Sequence, residues 1–300
     1  MSLITGTLLQ RLLAGVFLLT LPAVVWAHSP FAGDRQEQLA AILSALALLV
    51  LWLLWWRGAR RQPPGRGRWW LFQSAMVLCV VATLGPLDHW AETNAAVHMT
   101  QHMLFMVVVA PLWVLSKPLP QMVAGGGYWL LAVASPLLKL ARYPMWMAYL
   151  HGAIIWFWHI PFFYLLALEN PWWHLLEHAL FLVTAGLFWW AVLHGPVRNR
   201  PVGLVALLLT LMHTGFLGAI LTFAGVSLYG ADRALASQQL AGLIMWVPGA
   251  VPYISAAIWL AFRWSRPTDT RPGEDGAGQG ADRVLSGVDH ITGQHQETGS

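Results

Sequence analysis

Seven apolar runs, each close to the roughly 20 residues that cross a hydrocarbon core, constrain this chain more than any other feature. They lie at about Gln38 to Trp56, Trp69 to Leu87, His98 to Leu115, Pro144 to Leu166, Trp173 to Leu193, Val202 to Phe223 and Leu240 to Phe262. In lipid, only helices and closed barrels satisfy every backbone N–H and C=O. Continuous apolar runs, rather than short alternating ones, select helices. The expected fold is all-α, a polytopic membrane helix bundle of seven spans. Composition agrees: 10% of the 300 residues are charged, against about 25% in soluble domains. The chain also carries 19 Trp, a residue that favours the membrane–water interface.

Residues 1–27 read as a signal peptide. Arg11 gives a positive start, Leu12 to Val24 an apolar core, and Val25 and Ala27 stand three and one before a possible cut that would leave His28 first. The membrane domain is then 28–266. Residues 267–300 are rich in Gly, Asp, Gln, Thr and Ser without an apolar face, so a disordered tail is expected, with His290 and His295 incidental in it.

Lys and Arg set the orientation. With the mature N-terminus outside, the inner loops hold Arg57, Arg60, Arg61, Arg66 and Arg68, then Lys117, Lys139 and Arg142, then Arg198 and Arg200, then Arg263 and Arg266. The outer loops keep Arg35 and Arg233. This asymmetry puts the C-terminus in the cytoplasm. If the fairly apolar stretch 121–140 crossed, it would reverse every later loop. It also contains Gly125, Gly126, Gly127 and Pro136, so it reads as an interfacial or re-entrant segment. The net charge of +4 is small and sits in short loops, which points to no nucleic-acid partner. The single cysteine, Cys79, lies in an apolar run and reads as a small buried hydrophobe.

Ionisable groups are costly in a bilayer and need partners or a function there. His98 and His102 open one span four residues apart, on one helix face. His174 and His178 do the same in the span that starts at Trp173. Both spans run inwards, so the pairs share a depth within roughly 10 Å of the outer surface. His159 lies near the outer end of the fourth span, and Asp88 and His89 close the outer end of the second. Glu177 and Asp232 are on this side too. A single His-x-x-x-His pair could be an interhelical hydrogen-bonding device. Two pairs at one depth, with His159 and His89, form a set of imidazoles suited to copper or zinc. Met99, Met103 and Met106 lie beside the first pair, and thioethers favour Cu(I), although such a stripe is commonly plain packing. Glu177 and Asp88 are candidates to orient imidazoles from behind. His213 and His151 lie deeper and could belong to a transfer path or to a helix contact, while His194 marks the inner end.

Four blocks in order resemble the CtaG family of caa(3)-type cytochrome c oxidase assembly factors. They are His98-Met-Thr-Gln-His102-Met-Leu running on to Ala110-Pro111 and Lys117-Pro118; Trp158-His159-Ile160-Pro161; His174-Leu-Leu-Glu-His178 with Phe188-Trp189-Trp190; and Gly242-Leu-Ile-Met245-Trp246-Val247. The resemblance spans about Trp69 to Arg266. The chain departs from the family pattern before the last span, where Gln238-Gln239 replaces Asp-Gln and Ala241-Gly242 replaces paired glycines. The resemblance implies a bacterial inner-membrane protein that matures a haem–copper oxidase, with an oxidase subunit in the same membrane as partner and copper as cargo. Two alternatives remain open: a haem-binding electron-transfer protein, and a metal-ion or proton transporter. No phosphate loop, nucleophile elbow or pair of membrane carboxylates is present, so an enzyme is not expected.

Overall fold

A computed structural model describes residues 34–230 and 233–265. The expected signal peptide, the tail, Asp232 and Arg266 fall outside the described residues. The described residues form helices joined by loops, with no strand among them. The helices are α1 (Arg35–Arg61), α2 (Arg66–Leu84), α3 (Pro86–Ala91), α4 (Ala95–Met103), α5 (Ala110–Ser116), α6 (Leu119–Ala124) and α7 (Trp129–Leu140). They continue with α8 (Pro144–His159), α9 (Pro161–Glu169), α10 (Pro171–His194), α11 (Arg200–Phe223), α12 (Leu235–Trp246) and α13 (Ala250–Ser265). Six helices are long and apolar enough to cross a membrane, with Ala95–Ser116 and Leu235–Ser265 each counted as one. The bent pair α8 with α9, counted as one broken span, makes a seventh. The chain is thus a polytopic membrane helix bundle.

Three spans depart from straight α-helix. The fourth, expected to run to Leu166, breaks at Ile160 and turns by 74° into α9. Ile160 is extended, at φ −63° and ψ 128°. Pro161 causes this: it lacks an N–H, and its ring clashes with the preceding turn. Between α4 and α5, Leu104–Val109 form a π-helical turn, closed by Ala110 N–H donating to Phe105 O. The indole Nε1 of Trp189 donates to Met106 O within that turn at 2.8 Å, supplying a donor where the ladder is irregular. The last span is interrupted at Val247–Gly249, around Pro248.

The stretch 121–140 contains parts of two short helices, α6 and α7. The 12 residues of α7 reach about 18 Å at 1.5 Å each, short of the roughly 30 Å core. α6 is pressed against α1 by two glycines. A Cβ on Gly58 would overlap Gln121 O, and one on Gly125 would overlap Leu54 O. At the same end of the bundle, Arg61 donates to Ala124 O at 2.8 Å, Arg200 to Arg263 O at 2.7 Å, and Asn199 to Arg142 O at 3.4 Å. The basic loops therefore gather at one end and the histidine pairs at the other.

Candidate metal centre

Two asparagines start the helices that carry the site. Asn94 accepts from Ala96 N at 2.9 Å and Val97 N at 3.3 Å, capping α4. Asn170 accepts from Trp172 N at 2.9 Å and Trp173 N at 3.4 Å, capping α10, with Pro171 at its first position. Histidines follow each cap after one turn and two turns: His98 and His102 on α4, His174 and His178 on α10. Because the spacing is the same and the two helices lie side by side, the four rings meet. Ring centroids are 4.1 Å apart within each pair, and 5.3 Å apart for His98–His174 and His102–His178.

Glu177 stands among these imidazoles rather than behind one. Its Oε2 lies 3.8 Å from His98 Nε2 and 3.6 Å from His102 Nε2, and all three side chains are 1% exposed. These separations exceed hydrogen-bond length. They are close to the spacing of about 3.3 Å between neighbouring ligands of a tetrahedral ion bound at about 2.0–2.1 Å. Ligand atoms from His98, His102, His174 and Glu177 all lie within 4.8 Å of one another, and so do those of Asp88, His174 and His178. Nitrogens of all four rings, and Glu177 Oε2, are buried without a hydrogen-bond partner among the described residues. A carboxylate and several imidazoles left unpaired in a dry site are expensive. An ion bound between them would satisfy the group together.

Asp88 enters the site from α3. Its Oδ1 accepts from Gln101 Nε2 at 2.8 Å, and the same amide donates to Ala82 O at 2.7 Å. Burial raises the Asp88 carboxyl above the usual carboxylate range, against the opposing pull of His174 and the Gln101 hydrogen bond. Gln101 is fully buried and is a residue the sequence reading missed. The available signal was a repeated cassette: Asn94 to His102 and Asn170 to His178 both read Asn-x-x-x-His-x-x-Gln/Glu-His.

The other expected residues lie elsewhere. His89 is exposed on the rim, with Nδ1 3.8 Å from Glu92. His159 is buried at the end of α8, its Nδ1 2.7 Å from Ile155 O, and it is not among the converging ligand atoms. Met99, Met103 and Met106 are buried in the apolar core. His151 pairs through Nδ1 with Thr184 Oγ1 at 2.9 Å, eight residues or about 12 Å along α8 from His159. His213 packs its ring over Gly152 at the same level, where a Cβ would lie 2.5 Å from its Nε2. This deeper pair forms a helix contact apart from the four rings. His194 stacks on Trp190 with centroids 5.8 Å apart.

A roof closes the centre. Tyr164, on α9, lies 5.3 Å from the His98 ring and stacks on Tyr229 at 3.8 Å. The loop bearing Tyr229 is tied down by Gln238, whose Oε1 accepts from Leu228 N at 2.7 Å. Where the resembled family has an acid, this amide thus holds the loop. Gly242, the remaining glycine of that motif, sits where a Cβ would overlap Gly218 O of α11.

No curated protein and no solved structure matches the chain. A family described as the cytochrome c oxidase caa3 assembly factor, CtaG, matches it over residues 48–267.

Proposed function

The chain belongs to the caa3-type cytochrome c oxidase assembly factor family, and from that premise we propose that it binds copper at the histidine centre and delivers it to an oxidase subunit in the same membrane. The observation behind this reading is the approach of His98 and His102 to Glu177 at 3.8 and 3.6 Å in a dry site. Those distances are too long for hydrogen bonds and suited to an ion lying between the atoms. Imidazole suits copper and zinc, and copper binds more tightly to a given nitrogen and oxygen set. The family points to copper as the cargo. The protein acts without catalysing a reaction. It lies in the bacterial inner membrane with its basic end in the cytoplasm, so the centre faces the side from which extracytoplasmic copper arrives. Residues 1–27 serve as the signal peptide and the tail stays cytoplasmic.

A haem site is less well supported, because His98 and His174 stack 24° from parallel at 5.3 Å and leave no slot for a porphyrin between them.

The test is metal content. Purified protein loaded with copper should retain it, and the His102→Ala, His178→Ala variant should lose most of it. Equal copper in both would remove this site.

A further inference from the structure

The centre is built twice over. The cassettes Asn94 to His102 and Asn170 to His178 carry the same residue types at the same spacing, apart from Gln101 in one and Glu177 in the other. Their rings make a matched quadrilateral, 4.1 Å along each cassette and 5.3 Å across. Each histidine pair also meets one carboxylate supplied from another helix. Glu177 of α10 faces His98 and His102. Asp88 of α3 meets His174 and His178. The amide of Gln101 cannot supply charge at the position equivalent to Glu177. It instead holds Asp88 in place at 2.8 Å.

Resting on the copper reading above, we propose that the centre holds two cuprous ions side by side, one in each of two half-sites. The first half-site is His98, His102 and Glu177. The second is His174, His178 and Asp88. His174 lies within ligand range of both sets, so the two ions are neighbours. Charge agrees with this count. Two carboxylates, Glu177 buried and Asp88 partly buried, are balanced by two monovalent ions or by one divalent ion. The ligand atoms fall into two overlapping groups that share His174 and each contain one carboxylate, which favours the pair. Gln101 acts as a positioning residue that keeps Asp88 aimed at the second half-site.

The experiment is an anaerobic titration of the purified full chain with Cu(I) against a chromophoric cuprous chelator. We expect two equivalents for the unaltered chain. Asp88→Asn and Glu177→Gln should each lower this to one, and the double variant should fall close to none. One equivalent in the unaltered chain, lost equally in either variant, overturns the pair while leaving the copper reading intact. No bound copper at all overturns both. X-ray absorption of the loaded, unaltered chain needs no variant. It should report about two imidazoles per copper, and four per copper overturns the proposal.

Discussion

At the scale of single residues, Gln101 makes the clearest prediction. Its amide donates to both Asp88 and Ala82 O. Gln101→Leu strands a partly buried carboxylate and a buried carbonyl contact, and should cost about 2 kcal/mol. Thermal unfolding in detergent will measure this, and Gln101→Glu should be worse because it sets a second carboxylate against Asp88. An unchanged midpoint for Gln101→Leu would show that these bonds do not contribute. The four ring residues were legible in the sequence because spacing by four needs nothing beyond helix periodicity. Glu177 and Asp88 were legible only as neighbours. Whether a carboxylate stands behind a ring or among several depends on the rotation of one helix against another, which no local pattern records. His89 shows the converse. It follows Asp88 directly in the chain but points to solvent, since adjacent residues on a short helix face different ways.

At the scale of elements, the π-helical turn Leu104–Val109 sets the rotation of α4 relative to α5. A π turn holds one more residue than an α turn, and such turns often lie beside functional sites. Because the wide turn already absorbs one residue's angle of about 100°, removing Val108 should restore plain α-helix with His98, His102 and Gln101 still facing α10. We expect a protein that inserts, stays helical by circular dichroism and keeps its copper; lost copper would show that the wide turn itself, and not only the register it keeps, is needed at the centre. Nothing in Leu104 to Val109 announces this turn, because an apolar run reads alike in either helix type. The break at Ile160 had a visible signal in Pro161. The apolar pattern continued across it and concealed it, since Tyr164 and Ala167 beyond the bend are buried against the bundle as well. Span positions were recovered to within a few residues, as for Trp173 to Leu193 against Pro171–His194.

At the scale of the whole molecule, the ends of the bundle differ in charge, and orientation can be tested directly. In a Cys79→Ala background, Glu92→Cys should react with a membrane-impermeant maleimide on intact cells. Lys139→Cys should react only after permeabilisation. The reverse pattern would put the histidine centre on the cytoplasmic side and remove the supply route proposed for copper. The bend in the fourth span also shapes the surrounding lipid. α8 has 16 residues and rises about 24 Å, whereas the hydrocarbon layer is about 30 Å thick. The deficit falls at the end that carries the histidine pairs, where α9 turns aside. Lipid tails beside it must shorten or splay to match, drawing the headgroups down towards the four imidazoles. A centre whose Asp88 and His174 are partly exposed thereby comes closer to water through a dimple in the bilayer, and vesicles of shorter-chain lipids should hold this fold with less strain than those of long-chain lipids.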